Sequence, residues 1–412
     1  MKCLFVFPNA PLSSNYSGGA SRYLQSFLTL QRLGCDVHAV RLLDEAQRQR
    51  VARYEHDEAP YRAQAQSWRD LRYTLPSAAG NKGRRLRAAL THPAPYAMPE
   101  VVVLSELFQD AVAEVDPQFI WAEWTLSGAL VAESEPGIPW IYAHHDWLHR
   151  VRKIRRRASG KTHWRDRLWT VSMRRLERQL IRKSTAVISG STSEAQEIQA
   201  LGGREVVVIP TTYDPIPPPP PACRAAHPPH LVHLGALSTT ANYVGLLAYM
   251  ETVHPVLRVL LQEAQLEMPF HVIGDAAGAK PRLLRCLEAA SVSLPGHVDD
   301  LQQVFRPFDI TIIPYQHDTG TRTKLPLLFN HAQVVVAMRA AVAGSAEVRP
   351  GENCVVVDAL EAMPERLMKL ARDPALRERI GRAAKATFDQ YYTREAHLPK
   401  FERVLRQVGV RV

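Results

Sequence analysis

Pro215-Ile216-Pro217-Pro218-Pro219-Pro220-Pro221, followed by Pro228 and Pro229, is the stretch that decides the architecture. Such a run lacks the backbone donors a sheet interior needs and clashes with the preceding turn of a helix, so it belongs to neither. It marks a linker over 215–230. On both sides of it, short apolar runs alternate with helical patterns, the order that builds a parallel sheet covered by helices. Upstream, a strand at 4–7 leads through a loop to an amphipathic helix at 21–33 and a strand at 36–40; further strands fall at 119–122, 139–143, 186–189 and 206–209. Residues 45–95 are polar, Arg-rich and weakly periodic, and are expected to form helices and loops at the surface. Downstream, the pattern restarts with strands at 231–234, 271–273, 292–294, 310–313, 334–336 and 354–357. The expectation is an α/β protein with a first domain over 1–214, a second over 231–385, and a last amphipathic helix within 386–412 that either caps the second domain or returns to the first.

Composition agrees with two packed cores. Of the 412 residues, 46% are hydrophobic and 22% charged, an ordinary globular balance that excludes long disorder. The five cysteines, Cys3, Cys35, Cys223, Cys286 and Cys354, are scattered and never spaced C-x-x-C, which disfavours a disulfide framework or a zinc site. The apolar run at 4–7 is too short for a secretory leader, and no run of about 18 apolar residues would span a bilayer. The expected location is therefore cytoplasmic.

Charge is concentrated. Between Arg150 and Lys183 there are 14 Lys and Arg against Asp166 and Glu177, whereas the whole chain carries +10. Arg152, Arg155, Arg156 and Arg157 lie among Trp147, Trp164 and Trp169, so cations and amphipathic aromatics occur together. Three readings stay open: anionic lipid headgroups on the inner face of the membrane, nucleic acid phosphates, or a solvated helix face. No nucleic-acid motif accompanies the charge, which disfavours the second.

Three segments carry candidate chemistry. Gly18 and Gly19 follow the first strand and precede a helix, where glycine lets backbone N–H groups approach a ligand; a turn that needs positive φ is the plainer alternative. Asp318-Thr319-Gly320-Thr321-Arg322-Thr323-Lys324 follows the strand at 310–313, and its glycine and two cations suit a diphosphate, though a solvated helix start is also consistent. His144, His145 and Asp146 end the strand at 139–143. A histidine there can donate to a hydroxyl, and a carboxylate beside it can tune its pKa or act as a base. Neighbouring strand side chains alternate, so only one of two adjacent residues faces a given side.

The ordered set Leu234-Gly235-Ala236-Leu237 with Asn242, His271-Val272-Ile273-Gly274, Pro295-Gly296-His297-Val298-Asp299-Asp300-Leu301, Thr319-Gly320-Thr321-Arg322-Thr323-Lys324, Val334-Val335-Val336, Ala343-Gly344 and Gly351-Glu352-Asn353 resembles the family 4 glycosyltransferases. The resemblance covers roughly 230–385, and more loosely 1–210. It implies the GT-B fold: two Rossmann-like, doubly wound domains facing each other across a cleft. It also implies retaining transfer from a nucleotide diphosphate sugar as co-substrate, with no other cofactor and no metal. On this resemblance Gly235, Asn242, Gly274, Val298, Thr319, Gly320, Thr321, Arg322 and Lys324 bind the donor, Gly18 and Gly19 line the acceptor side, and His145, Asp146 or His144 handles the reacting hydroxyls. The family usually has an Arg after the first glycine, a Lys near Asn242 and two glutamates eight apart; here those places hold Ala236, Ala241, Thr319 and Leu327.

The function expected is transfer of a hexose-type unit to a hydroxyl of a lipid-linked or polysaccharide precursor. Replacement of both glutamates keeps open a GT-B-shaped binding or partner subunit that does not catalyse. A basic nucleic-acid binder is a third reading.

Overall fold

The computed structural model describes residues 1–14, 16–75, 93–160, 164–318 and 323–410. They divide into two compact units, Met1–Thr212 with the stretch from His397, and Tyr213–Asp318 with the chain that continues to Ala396.

The first unit is built on seven parallel strands: β1 (Lys2–Pro8), β2 (Asp36–Asp44), β3 (Ser67–Tyr73), β4 (Phe119–Glu123), β5 (Trp140–Ala143), β6 (Ala186–Ser189) and β7 (Val206–Val208). Their order is β3-β2-β1-β4-β5-β6-β7. The sheet separates two apolar layers: Cys3, Phe5 and Phe7 of β1 feed one core, Leu4 and Val6 the other. A strand buried on both faces is mostly apolar, which is why β1 and the first four residues of β4 read as hydrophobic runs. The order reverses between β1 and β4, so the carboxyl ends of these two strands form the crevice where ligands of such sheets bind.

β3 departs from the sequence expectation, which gave 45–95 only surface helices and loops. Ser67–Tyr73 pairs in parallel with β2 at the sheet edge. Its charges are used inward: Arg41 of β2, buried, pairs with Asp70 of β3 (2.9 Å) and with Glu58 of the Glu55–Gln64 helix (2.8 Å). Hydropathy misses such a strand because a charge pair, not apolar surface, fastens it. Glu58 also accepts from the Leu12 backbone N–H at 2.9 Å, which holds the loop leading to Gly18.

The second unit has six parallel strands: β8 (Leu231–Leu234), β9 (Phe270–Ile273), β10 (Ser293–Gly296), β11 (Ile310–Ile313), β12 (Val334–Met338) and β13 (Val355–Val357). Their order is β10-β9-β8-β11-β12-β13, with the reversal between β8 and β11.

Two boundaries differ from the expectation. The proline segment sits with the second unit, because Arg382 donates to the carbonyls of Pro219 (3.0 Å) and Cys223 (2.9 Å), and Asn330 Oδ1 accepts from Ile216 N–H (3.1 Å). The end of the chain is two helices, not one. Pro374–Tyr391, capped by Asp373, stays in the second unit, and Leu398–Gln407 belongs to the first. There Phe401 stacks on Trp121 at 5.3 Å, and Val404 and Leu405 are buried beside it.

Candidate functional site

In the first unit the crevice between β1 and β4 gathers the start of the Gly18–Arg32 helix, the end of β4 and the residues after β5. Ser17 caps the helix, its hydroxyl accepting from Ala20 N–H at 3.2 Å. Neither Gly18 nor Gly19 has a positive φ, so the turn does not require glycine on conformational grounds. A Cβ on Gly19 would sit 3.8 Å from Ser17 Oγ and 3.9 Å from the Tyr23 hydroxyl. What glycine provides here is open backbone at a helix N-terminus.

His145 turns toward this helix, its ring edge-on to Tyr23 at 5.3 Å, and its Nε2 lies 2.6 Å from Glu123 Oε2. Glu123 closes β4 and is wholly buried, and its other oxygen accepts from Trp121 Nε1 at 2.8 Å. Burial alone would push the Glu123 carboxyl up, but the hydrogen bond and charge of His145, the Arg22 guanidinium and the Trp121 N–H carry it below the usual range. His145 is pushed down to about 4, first by burial and then by Arg22, against the pull of Glu123. At neutral pH the pair is therefore an ionised carboxylate and a neutral imidazole. Glu123, Arg22 and Tyr23 were not singled out in the sequence. The available signal was a glutamate ending an otherwise apolar run.

His144 points to the opposite layer, as strand alternation requires. It is fully buried, its Nδ1 3.3 Å from the Tyr142 hydroxyl, its ring 4.6 Å from Trp147, and its Nε2 3.5 Å from Glu194. The structure thus turns His145, not His144, toward the Gly18–Arg32 helix, at Tyr23. Asp146 is partly exposed, and its charge reaches Tyr23.

The basic stretch forms two helices, Leu148–Ser159 and Trp164–Lys183. Several of its cations are paired with carboxylates. Arg152 donates to Asp166 (3.0 and 2.5 Å) and lies 4.3 Å over Trp169, Arg150 pairs with Glu197 (2.5 Å), and Lys183 with Glu135 (2.6 Å). Arg155 and Arg157 are exposed and Arg156 is partly so; Trp164 and Val171 are exposed as well.

In the second unit the site is a matter of backbone shape. Gly235 follows β8 with φ +131°, and Gly274 follows β9 with φ +143°, both in the region that favours glycine. A Cβ on Gly235 would stand 2.3 Å from Asn242 Nδ2, and one on Gly274 would stand 2.5 Å from the Gly235 carbonyl. Asn242 Nδ2 donates to the Ala236 carbonyl (2.9 Å), while Lys324 Nζ donates to Asn242 Oδ1 (2.6 Å) and to the Leu234 carbonyl (2.7 Å). Lys324, taken from the sequence as a phosphate cation, thus ties the end of β8 to the helix Lys324–Asn330. Val298 is partly buried against the core and presents no polar side chain. Thr319, Gly320, Thr321 and Arg322 lie outside the described residues. Among the described residues no three His, Cys, Asp or Glu side chains come together as a metal site, and no single helix is long and apolar enough to cross a membrane.

Residues 18–212 match the family model for the glycosyl transferase 4-like domain, and residues 228–373 match that for glycosyl transferases group 1. No curated protein sequence matches the chain. Among solved structures the chain is similar to sucrose-phosphate synthase from Thermosynechococcus elongatus, with 12% identity, a TM-score of 0.68 and 99% of each chain covered. It is similar to a glycosyltransferase from Rickettsia africae, with 12% identity, a TM-score of 0.62, and 100% and 99% of the two chains covered. A third is HepE from Anabaena in complex with UDP-glucose, with 16% identity, a TM-score of 0.62, and 98% and 99% covered. At these identities the structural likeness speaks for the fold, and the family models speak for the family.

Proposed function

The chain belongs to the GT-B glycosyltransferases, with a 4-like first half and a group 1 second half, and on that premise we propose that it moves a sugar from a nucleoside diphosphate sugar to a hydroxyl of a lipid-linked or polysaccharide precursor, with retention and without a resident metal. The observation that carries the reading is the Glu123–His145 pair against Tyr23 of the Gly18–Arg32 helix, at the reversal point of the first sheet. A neutral imidazole held by a carboxylate suits the orientation of a sugar or acceptor hydroxyl. Asp146, the next residue in the chain, would share that task.

On the donor side, the loops at Gly235 and Gly274 would let a nucleoside diphosphate approach the backbone closely, and Arg322 with Lys324 would offset the charge that grows on the leaving diphosphate. Asn242 orients Lys324 for this. UDP-glucose, present in the HepE structure, is the first donor to try. Exposed Arg155, Arg157 and Trp164 support a peripheral seat on an anionic membrane surface in the cytoplasm, where a lipid-linked acceptor would lie.

The test is a thermal-shift series with UDP-, GDP-, dTDP- and ADP-sugars, followed by transfer of labelled sugar to membrane extract. One donor is expected to raise the melting temperature, and Arg322→Ala with Lys324→Ala to abolish the rise. Stabilisation by no donor would favour the non-catalytic partner subunit that Thr319 and Leu327, in place of the family's glutamates, also suggest.

A further inference from the structure

Arg22 lies one turn into the Gly18–Arg32 helix, is 4% exposed, and neither of its terminal nitrogens has a hydrogen-bond partner. A guanidinium stays protonated in a protein, and a buried charge without compensation is costly. The compensating charge is Glu123, which is held in the field of Arg22. Both Glu123 oxygens are engaged, Oε1 by Trp121 and Oε2 by His145 Nε2. An ionised carboxylate only accepts hydrogen bonds, so His145 must carry its hydrogen on Nε2. With one ring hydrogen so placed and the ring neutral, Nδ1 keeps a lone pair. That atom has no hydrogen-bond partner among the described residues and is not enclosed by protein.

We propose that Arg22 and Glu123 are positioning residues that fix His145 as the Nε2–H tautomer, so that Nδ1 accepts a hydrogen bond from a substrate hydroxyl. The hydroxyl in this statement rests on the glycosyl-transfer reading; the state of the imidazole does not. The groups that face His145 are Arg22 and Tyr23 from the helix, Glu123 from β4, and His144 and Asp146 on either side of it in the chain. Arg22 opposes the imidazolium and Glu123 favours it; burial adds to Arg22, and the balance leaves the ring neutral. Nδ1 is an acceptor and finds no donor on an ionised phosphate or carboxylate, whose oxygens only accept. A neutral hydroxyl, able to donate, is the class that fits.

The experiment is a pH titration of the full-length protein labelled with 15N-histidine, read by the imidazole nitrogen shifts, with the His145 signals assigned by their loss in His145→Gln. The expected result is an Nε2–H tautomer at pH 7, titrating near pH 4. In Arg22→Met the midpoint should rise by about 1 pH unit or more, since a like charge has been removed. Arg22→Lys should keep most of the original midpoint, and Glu123→Gln, which can donate as well as accept, should give mixed tautomers. An Nδ1–H tautomer or an imidazolium at pH 7 in the unaltered protein overturns the proposal, whether or not the Arg22 and Glu123 variants fold. An unmoved midpoint in folded Arg22→Met removes Arg22 from it. Failure of the donor series alongside the expected tautomer would count against the glycosyl-transfer details and leave the imidazole assignment standing.

Discussion

At the reversal point of the first sheet, Arg22, Glu123 and His145 are buried together and their charges set one another; at that of the second, Gly235, Gly274 and Asn242 fit so closely that no side chain could be added. Both places lie beyond the carboxyl ends of parallel strands, where the topology opens a crevice. One is specified by charge, the other by the shape of the backbone. The difference suits the proposed division of labour. Reacting hydroxyls need a tuned acceptor, whereas a nucleotide that recurs unchanged from turnover to turnover can be held largely by main chain. It also means that the two sites should fail differently when altered.

The largest effect is expected where charge is buried. Glu123→Ala leaves Arg22 without its counter-charge and His145 without its partner, and should destabilise the first unit by about 3–5 kcal/mol in chemical denaturation. Arg22→Met combined with Glu123→Leu should recover much of that loss, since an apolar pair of similar volume replaces two buried charges. If the double variant is no more stable than Glu123→Ala, the charge account of this site is wrong and packing around Trp121 governs instead.

The second effect tests shape. Gly274→Ala places a Cβ 2.5 Å from the Gly235 carbonyl at a φ of +143°, so both the strained backbone and the clash oppose it. A loss of about 3 kcal/mol is expected, with weakened donor binding in whatever fraction folds. A stable Gly274→Ala that still binds the donor would show the loop to be more yielding than its geometry implies.

How far the sequence disclosed these sites follows from the same contrast. The strands at 186–189, 231–234 and 310–313 stand where the apolar runs put them, because parallel strands covered on both faces are mostly apolar. β3 was invisible, since Arg41, Glu58 and Asp70 fasten it by charge. Backbone shape was legible through the family resemblance, which singled out Gly235 and Gly274. The charge cluster was only partly so. His145 was visible as a strand-end histidine, but its choice over His144 depends on which layer each faces. Arg22 and Glu123 are 101 residues apart in the chain and meet only because β1 and β4 are neighbours. Sequence pattern records what is periodic; a contact made by crossover topology has no period.

The smallest effect on stability is the most discriminating. Gly19 shares the glycine character of Gly274 but not its reason, for its φ is not positive and a Cβ there would find its nearest neighbours at 3.8 Å. Gly19→Ala should therefore change stability by less than about 0.5 kcal/mol, and alanine's smaller loss of chain entropy could make the change favourable. If the glycine is there to let a sugar or acceptor come up against the helix N-terminus, the same variant should raise KM or depress kcat while the melting temperature stays put. Unaltered kinetics would assign Gly19 to the first turn of the helix and nothing more, and would move the acceptor wall toward Tyr23 and Asp146. The two glycine substitutions together thus separate a residue the fold requires from one that only a ligand would require.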